Sequence, residues 1–492
     1  MVLNYLANIG RFVPEITLIV TMVGLIFVEA TYGDEEKGSS KGYLYATAYL
    51  GLLFTLVKLI GSLGDAPIAI YSNSLVIDPF STMIKIIMVI GTAACIHLSR
   101  RSSDVYENLK GEFAIIAVGV LIGGMLLASA NNMLTLYIGI ETLSILSYVL
   151  ASLKKNDDRS SEAGLKYALF GGISAGIMLF GMSHIFGVTG TIQFAGMLDK
   201  LKDLDTVQIA ILMPSFLMFF AGIGYKIACV PFHMWAPDVY EGSPLPVTTF
   251  FSIVPKMAGM AVLLRVTMVF FSGDQNVLQM SWIATLSVVA ALTMTVGNVS
   301  AIGQRSVKRM LAFSSISHAG MMMMGVLCIS EIGTRAIVFY GITYLFMTLV
   351  AFYITSFVQD AYGNDHFERF NGLIHKHPLM AIFMLITMFS LSGLPPLSGF
   401  IAKFNIFSAL IDKNYYVLAI IAGLNSVVAL YYYLKIVKLM VFKDPESDEK
   451  IKGFGFTNQL VITALTVPVV MLGIFWDQVL VMANGAKIFI VQ

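Results

Sequence analysis

Apolar runs of about 20 residues recur along the whole chain, each long enough for a helix rising ~1.5 Å per residue to cross a ~30 Å hydrocarbon layer. Such runs leave little choice of fold. In lipid, every backbone polar group needs a partner within the protein, so a crossing segment is a helix or part of a closed barrel. These runs are continuous rather than alternating, which favours helices. We expect an all-α polytopic membrane protein of about 14 transmembrane helices, a single integral membrane domain spanning residues 1–492. Only 12% of the residues are charged, fewer than a soluble surface requires. The first run lacks the basic head and small-residue cleavage site of a removable leader, so it reads as a span that stays in place.

A net charge of +1 argues against a nucleic-acid partner. Cys95, Cys229 and Cys328 lie apart in apolar stretches, with no C-x-x-C pair to suggest a zinc site, an iron–sulfur cluster or a disulfide framework. No cofactor is therefore expected in this chain, and electron transfer would belong to other chains. The loops that follow odd-numbered spans hold most of the basic residues: Lys37 and Lys41, Arg100, Arg101 and Lys110, Lys154, Lys155 and Arg159, Arg305, Lys308 and Arg309, Arg369 and Lys376, and Lys443, Lys450 and Lys452. The positive-inside bias puts both termini on the non-cytoplasmic side.

Two runs are too long for one crossing. Run 208–235 would extend ~42 Å as a helix and run 379–412 ~51 Å. Each contains helix breakers: Gly222 and Gly224 ahead of Pro231, and Gly393-Leu394-Pro395-Pro396 with Gly399. Both read as interrupted helices. They lie five spans apart and each carries one lysine, which suggests two related bundles of about five spans with inverted topology. The simpler alternative is that Gly and Pro are common in membrane helices.

Four charges stand alone inside the apolar runs: Glu141, Lys226, Lys256 and Lys403. A charge at the bilayer centre costs ~2.5–3.5 kcal/mol on insertion scales, so each should face protein or water and have a partner. A poorly hydrated lysine tends to lose its proton and a nearby carboxylate restores it, so the four can be read as a proton relay. Glu141 and Lys226 form the pair of opposite sign, and Lys256 and Lys403 the later stations. For each lysine the alternative is snorkelling or a static ion pair. His318 is either a relay member or a buried histidine bonded to a carbonyl. His97 and His184 read as structural. His233, Asp238 and Glu241 read as a cap at the cytoplasmic mouth, with a role in proton uptake open. Glu162 and Lys166 read as an i,i+4 pair, Glu15 and Glu29 as contacts to a neighbouring subunit or as capping and snorkelling groups, and Met321–Met324 as packing.

Three segments, YKIACVPFHMWAPDVYEGSPLPVTTFFSIVPKMAGM, SVKRMLAFSSISHAG and FSLSGLPPLSGFIAKF, resemble the proton-translocating antiporter-like subunits of respiratory complex I. PDVYEGSPLPVT followed by the lysine of VPKMAG resembles the subunit N branch of that family in particular. The similarity covers about residues 75–440. It implies two inverted five-helix bundles, spans 4–8 (about 112–271) and spans 9–13 (about 277–440). It also implies that Glu141 matches the fifth-span glutamate, Lys226 its seventh-span lysine partner, Lys256 the eighth-span lysine and Lys403 the twelfth-span lysine leading to the outer half-channel. The expected function is proton translocation within an NADH:quinone oxidoreductase, in a bacterial plasma membrane. Other membrane-arm subunits would be its partners, with flavin, iron–sulfur clusters and quinone in partner chains. The alternatives are a subunit of a cation/proton antiporter or membrane-bound hydrogenase built on the same module, and a static scaffold.

Overall fold

The apolar runs fold as a succession of helices, six of them started by a polar side-chain cap and several ended by a left-handed glycine. The structure is a computed structural model, and it describes residues 8–32, 38–202, 204–271, 277–445, 451, 454–485 and 487–489. Of the basic loop residues, Lys37, Lys450 and Lys452 lie outside these. The first six crossings are α1 (Val13–Tyr32), α2 (Gly38–Gly61), α3 (Pro79–Arg101), α4 (Lys110–Ala128), α5 (Met133–Ala151) and α6 (Asp158–Thr189). The seventh is split into α7 (Thr206–Ile227) and α8 (Trp235–Gly242), and α9 (Leu245–Phe271), α10 (Val277–Ile302), α11 (Val307–Leu327) and α12 (Glu331–Tyr362) follow. The twelfth is split into α13 (Pro378–Ser392) and α14 (Ser398–Asp412), before α15 (Tyr416–Phe442) and α16 (Phe456–Ile474). Among the described residues, 13 helices are long and apolar enough to cross a membrane, and the α13–α14 pair supplies one further crossing. An antiparallel hairpin, β1 (Ile68–Ile70) with β2 (Leu75–Ile77), joins α2 to α3.

Caps fix where the helices begin. Asp78 and Ser81 form a capping box ahead of Pro79, Asp205 and Gln208 another, and Asn132, Ser306 and Ser330 cap α5, α11 and α12. The final run 458–485 is interrupted too, because α16 stops at Ile474 and a short helix, Trp476–Asn484, follows.

The first interruption lies later than the glycines suggest. Gly222 and Gly224 are helical, and they serve close packing: a Cβ on Gly222 would meet Met178 Sδ at 2.3 Å. The helix instead ends where Ala228 adopts left-handed backbone, φ +56°, with Pro231 in the segment beyond. The freed backbone groups find partners, as a break inside lipid requires. Cys229 N–H donates to Gly224 O at 2.9 Å, and Val230 N–H to Thr293 Oγ1 of α10 at 3.0 Å. The second interruption falls where expected. Gly393, at φ +87°, ends α13, and a Cβ there would lie 2.8 Å from Lys403 Cδ, so the bend needs glycine.

Burial divides the helices into core and rim. α9, α11 and α12 are apolar on every side and almost wholly enclosed, whereas α1, α6, α10 and α15 expose apolar faces suited to lipid or partner subunits. α9 packs against α3, α4, α7, α11 and α12, which makes it the axis around which the charged residues gather.

Candidate functional site

Lys226 occupies the last turn of α7, beside the break that separates α7 from α8. It is 2% exposed. Its Nζ has no hydrogen-bond partner and sits 5.7, 5.4 and 5.5 Å from the ring centroids of Tyr148, Tyr167 and Tyr225, within range of cation–π attraction. Trp235, the first residue of α8, stacks on Tyr167 at 4.2 Å and donates from Nε1 to Tyr225 O at 3.1 Å. The break therefore locks the cage shut from the far side. Glu141, half-buried on α5, acts on Lys226 through space, yet no direct ion pair joins them and Glu141 Oε1 also lacks a partner.

Lys256 and Lys403 are held differently. Lys256 Nζ donates to Ser315 O at 2.6 Å and also to Ser315 Oγ, which accepts from Tyr344 at 2.9 Å. Lys403 Nζ donates to Ser392 O at 2.8 Å, at the buried C-terminal end of α13, where the helix dipole favours a cation. His318 lies three residues after Ser315 on α11 and lines a cavity with Lys403. Its Nδ1 contacts Tyr340 OH at 2.6 Å and its Nε2 contacts Tyr433 OH at 3.1 Å, so its partners are hydroxyls rather than a carbonyl. The charges of both Lys403 and Lys256 reach this imidazole. A cavity of about 10 Å³, room for one water, is lined by His318, Lys403, Tyr432, Asn298 and Asn425. Tyr432 OH donates to Asn298 Oδ1 at 2.9 Å, and Asn298 Nδ2 to Asn425 Oδ1 at 3.0 Å. The arrangement gathers hydroxyl, imidazole and amine groups, each able to give or take a proton, around one small cavity.

At the mouth assigned by sequence to the cytoplasm, Asp238 and Glu241 of α8 line an open cavity of about 260 Å³ with Arg159, Glu162, Lys166 and Arg309. Lys166 pairs with Glu162 and with Asp238, each at 2.7 Å; Arg309 pairs with Asp238 at 3.1 Å and with Glu241. Glu162–Lys166 is thus more than a helix-surface pair. His233 is not part of this cluster; it sits in the α7–α8 break, with Nδ1 unpartnered. His97 contacts Tyr49 OH at 3.3 Å, and His184 contacts Phe180 O at 2.9 Å, both local packing roles. Met321–Met324 are all buried.

Two buried pairs escaped the sequence reading. Lys85 on α3 meets Glu15 on α1 at 2.6 Å, both about 2% exposed, which corrects the reading of Glu15 as a surface or capping group. Arg265 on α9 meets Asp78 at 3.0 Å, equally buried. Lys85 in TMIKIIMV and Arg265 in VLLRVTM carry the same signal, a lone charge in an apolar span, that marked the other four. Glu29 packs against Gly111 of α4.

Residues 130–429 match the family model described as NADH:quinone oxidoreductase/Mrp antiporter, TM, and this interval contains Glu141, Lys226, Lys256, His318 and Lys403. The NADH-quinone oxidoreductase subunit N of Trichlorobacter lovleyi is 37% identical over 90% of this chain and 89% of its own length. That of Methylobacterium nodulans is 37% identical over 95% of this chain and 94% of its own. The chain belongs to the NADH-quinone oxidoreductase subunit N family. Among solved structures, a chain of respiratory complex I from Thermus thermophilus with bound aureothin matches this subunit N family member with a TM-score of 0.80. It is 28% identical and covers 96% of this chain and 99% of that one. A chain of the Mrp complex from Dietzia sp. DQ12-45-1b shares the fold, with a TM-score of 0.81, 20% identity and 96% coverage of each chain. The subunit N architecture is thus that of a multi-pass membrane protein with antiporter-like helices.

Proposed function

We propose that this chain is a proton-translocating subunit in the membrane arm of an NADH:quinone oxidoreductase, acting as part of a translocase with its termini on the non-cytoplasmic face of a bacterial inner membrane. Protons move along Glu141, Lys226, Lys256, His318 and Lys403. The observation that carries this reading is His318, bonded to two tyrosine hydroxyls and bordering the water-sized cavity that Lys403 lines. Static ion pairs would need neither the histidine nor the cavity. The relation among α4–α9 and α10–α15 also supports two inverted five-helix repeats, since in each set successive helices pack in order and the fifth returns to the first.

Carrying one charge across requires ~2.3 kcal/mol per 100 mV. Quinone reduction in other subunits would supply it, reaching this chain as a change in the Glu141–Lys226 separation. The cage around Lys226 fits that role, because aromatic faces tolerate an ammonium without fixing it as a hydrogen bond does. Loss of the Glu141 charge would favour release of the Lys226 proton toward Lys256.

The test uses the assembled complex in sealed membrane vesicles, with NADH oxidation and vesicle acidification followed together. Lys226→Ala is expected to lower acidification per NADH oxidised while leaving the complex assembled. Full acidification by an assembled Lys226→Ala complex would overturn the proposal.

A further inference from the structure

The Glu15–Lys85 pair has a setting that a static strut does not need. Lys85 Nζ donates to Glu15 Oε1 at 2.6 Å, and the other carboxylate oxygen, Oε2, is buried without any hydrogen-bond partner. Both residues line a cavity of about 420 Å³ at the ends of α1, α2 and α3 beside the β1–β2 hairpin. That volume holds several waters, and a water there is the natural partner for Oε2. The charged and titratable groups facing the pair come from every adjoining element: Arg11 ahead of α1, Lys58 on α2, Asp65 after α2 and Tyr71 in the hairpin. Arg11 and Asp65 pair with each other and are partly exposed, so they mark the opening to solvent. The pair lies outside residues 130–429 and apart from the relay.

We propose that Glu15 and Lys85 form a second proton-exchange site, fed by solvent from the hairpin face of the membrane. Its elementary step conserves the charge of the site. The proton on Lys85 Nζ moves to Glu15 Oε1, leaving a carboxylic acid beside a neutral amine, and water in the cavity can then deliver a proton to the amine or take one from the acid. In the neutral form two charges that burial disfavours are absent, and in the ionic form they compensate each other. Either form is tolerated, which is what an exchange site requires.

A water-soluble carbodiimide applied to one face of the intact complex in sealed proteoliposomes tests this directly. A protonated carboxyl adds to the reagent to give an acyl-isourea; a neutral Lys85 amine displaces the urea and forms an isopeptide bond, with net loss of one water to the reagent. Peptide mass spectrometry is expected to find the Glu15–Lys85 crosslink several-fold enriched when the reagent is on the hairpin face. In Lys85→Met the same treatment is expected to leave a stable acylurea on Glu15. Glu331, exposed at the start of α12 on the same face, reports that the reagent is active. No modification of Glu15 in either protein while Glu331 reacts, or modification only from the opposite face, would overturn the proposal. The readout does not depend on Lys226 or on pumping, so its failure is separable from failure of the relay.

Discussion

Three lysines in one row are held in three different ways, and the difference sets what a substitution does to each. Lys226 rests among aromatic faces, Lys256 on a serine, and Lys403 on a helix-end carbonyl. Cation–π attraction is worth about 0.5–2 kcal/mol, the larger values applying where water is excluded. Tyr148→Leu removes one face of the Lys226 cage, and proton pumping per NADH is expected to fall several-fold. Tyr148→Phe keeps the ring and is expected to stay near the parent value in the same vesicle assay. If the phenol rather than the ring matters, the two variants fall alike. At the far end, Gly393→Ala forces a side chain into left-handed backbone, a cost of roughly 1–2 kcal/mol, and presses on Lys403. Pumping is expected to drop more than complex yield on a native gel. Isolated charges were legible because lipid makes each conspicuous. The cage was not, because its tyrosines come from three helices whose packing no spacing in one segment encodes.

At the level of elements, the first interruption is tied to the second half of the molecule by one hydrogen bond. Val230 N–H, freed by the end of α7, is accepted by Thr293 Oγ1 of α10. Thr293→Val keeps the shape and leaves that N–H without a partner, at a cost of about 1–3 kcal/mol. The complex is expected to melt several degrees lower, whereas Thr295→Val, at the exposed end of the Asn425 network, is expected to cost less. The existence of a break could be read from run length alone. Its position could not, because Gly222 and Gly224 signal both flexibility and close packing, and only the surrounding Met178, Cys229 and Phe232 decide for packing.

Across the whole molecule, the loops between crossings are stitched together by buried charges. Asp104, after α3, pairs with Lys154, accepts from Leu245 N–H at 2.7 Å, and senses Lys308. Burial alone would raise its carboxyl, but Lys308, Lys154 and that N–H outweigh burial and hold it below the usual carboxylate range. A carboxyl depressed in the folded state contributes stability above its unfolded value of ~3.9, and the contribution disappears as pH falls through the lower folded value. Asp104→Asn is therefore expected to lower thermal stability at neutral pH by ~3 kcal/mol equivalent, with the gap to the parent protein closing in strong acid. Thermal unfolding of purified complex at several pH values measures this. The number of crossings and their order were readable from hydropathy, since water and lipid select residues by simple rules. Which crossings form the enclosed core was not, because α9 and α10 have the same mean hydropathy of 1.7 but very different burial.

That enclosure has a consequence for how the protein is made. α9 leaves the ribosome carrying Lys256 and Arg265, and the residues that cover Lys256, Ser315 on α11 and Tyr344 on α12, do not yet exist. Asp78, the partner of Arg265, has already been made, but Lys256 alone in lipid would cost ~2.5–3.5 kcal/mol on insertion scales. Its cover is complete only once α12 has been synthesised. Insertion of α9 is therefore expected to be coupled to that of α11 and α12, through the one charge that they cover in the finished protein.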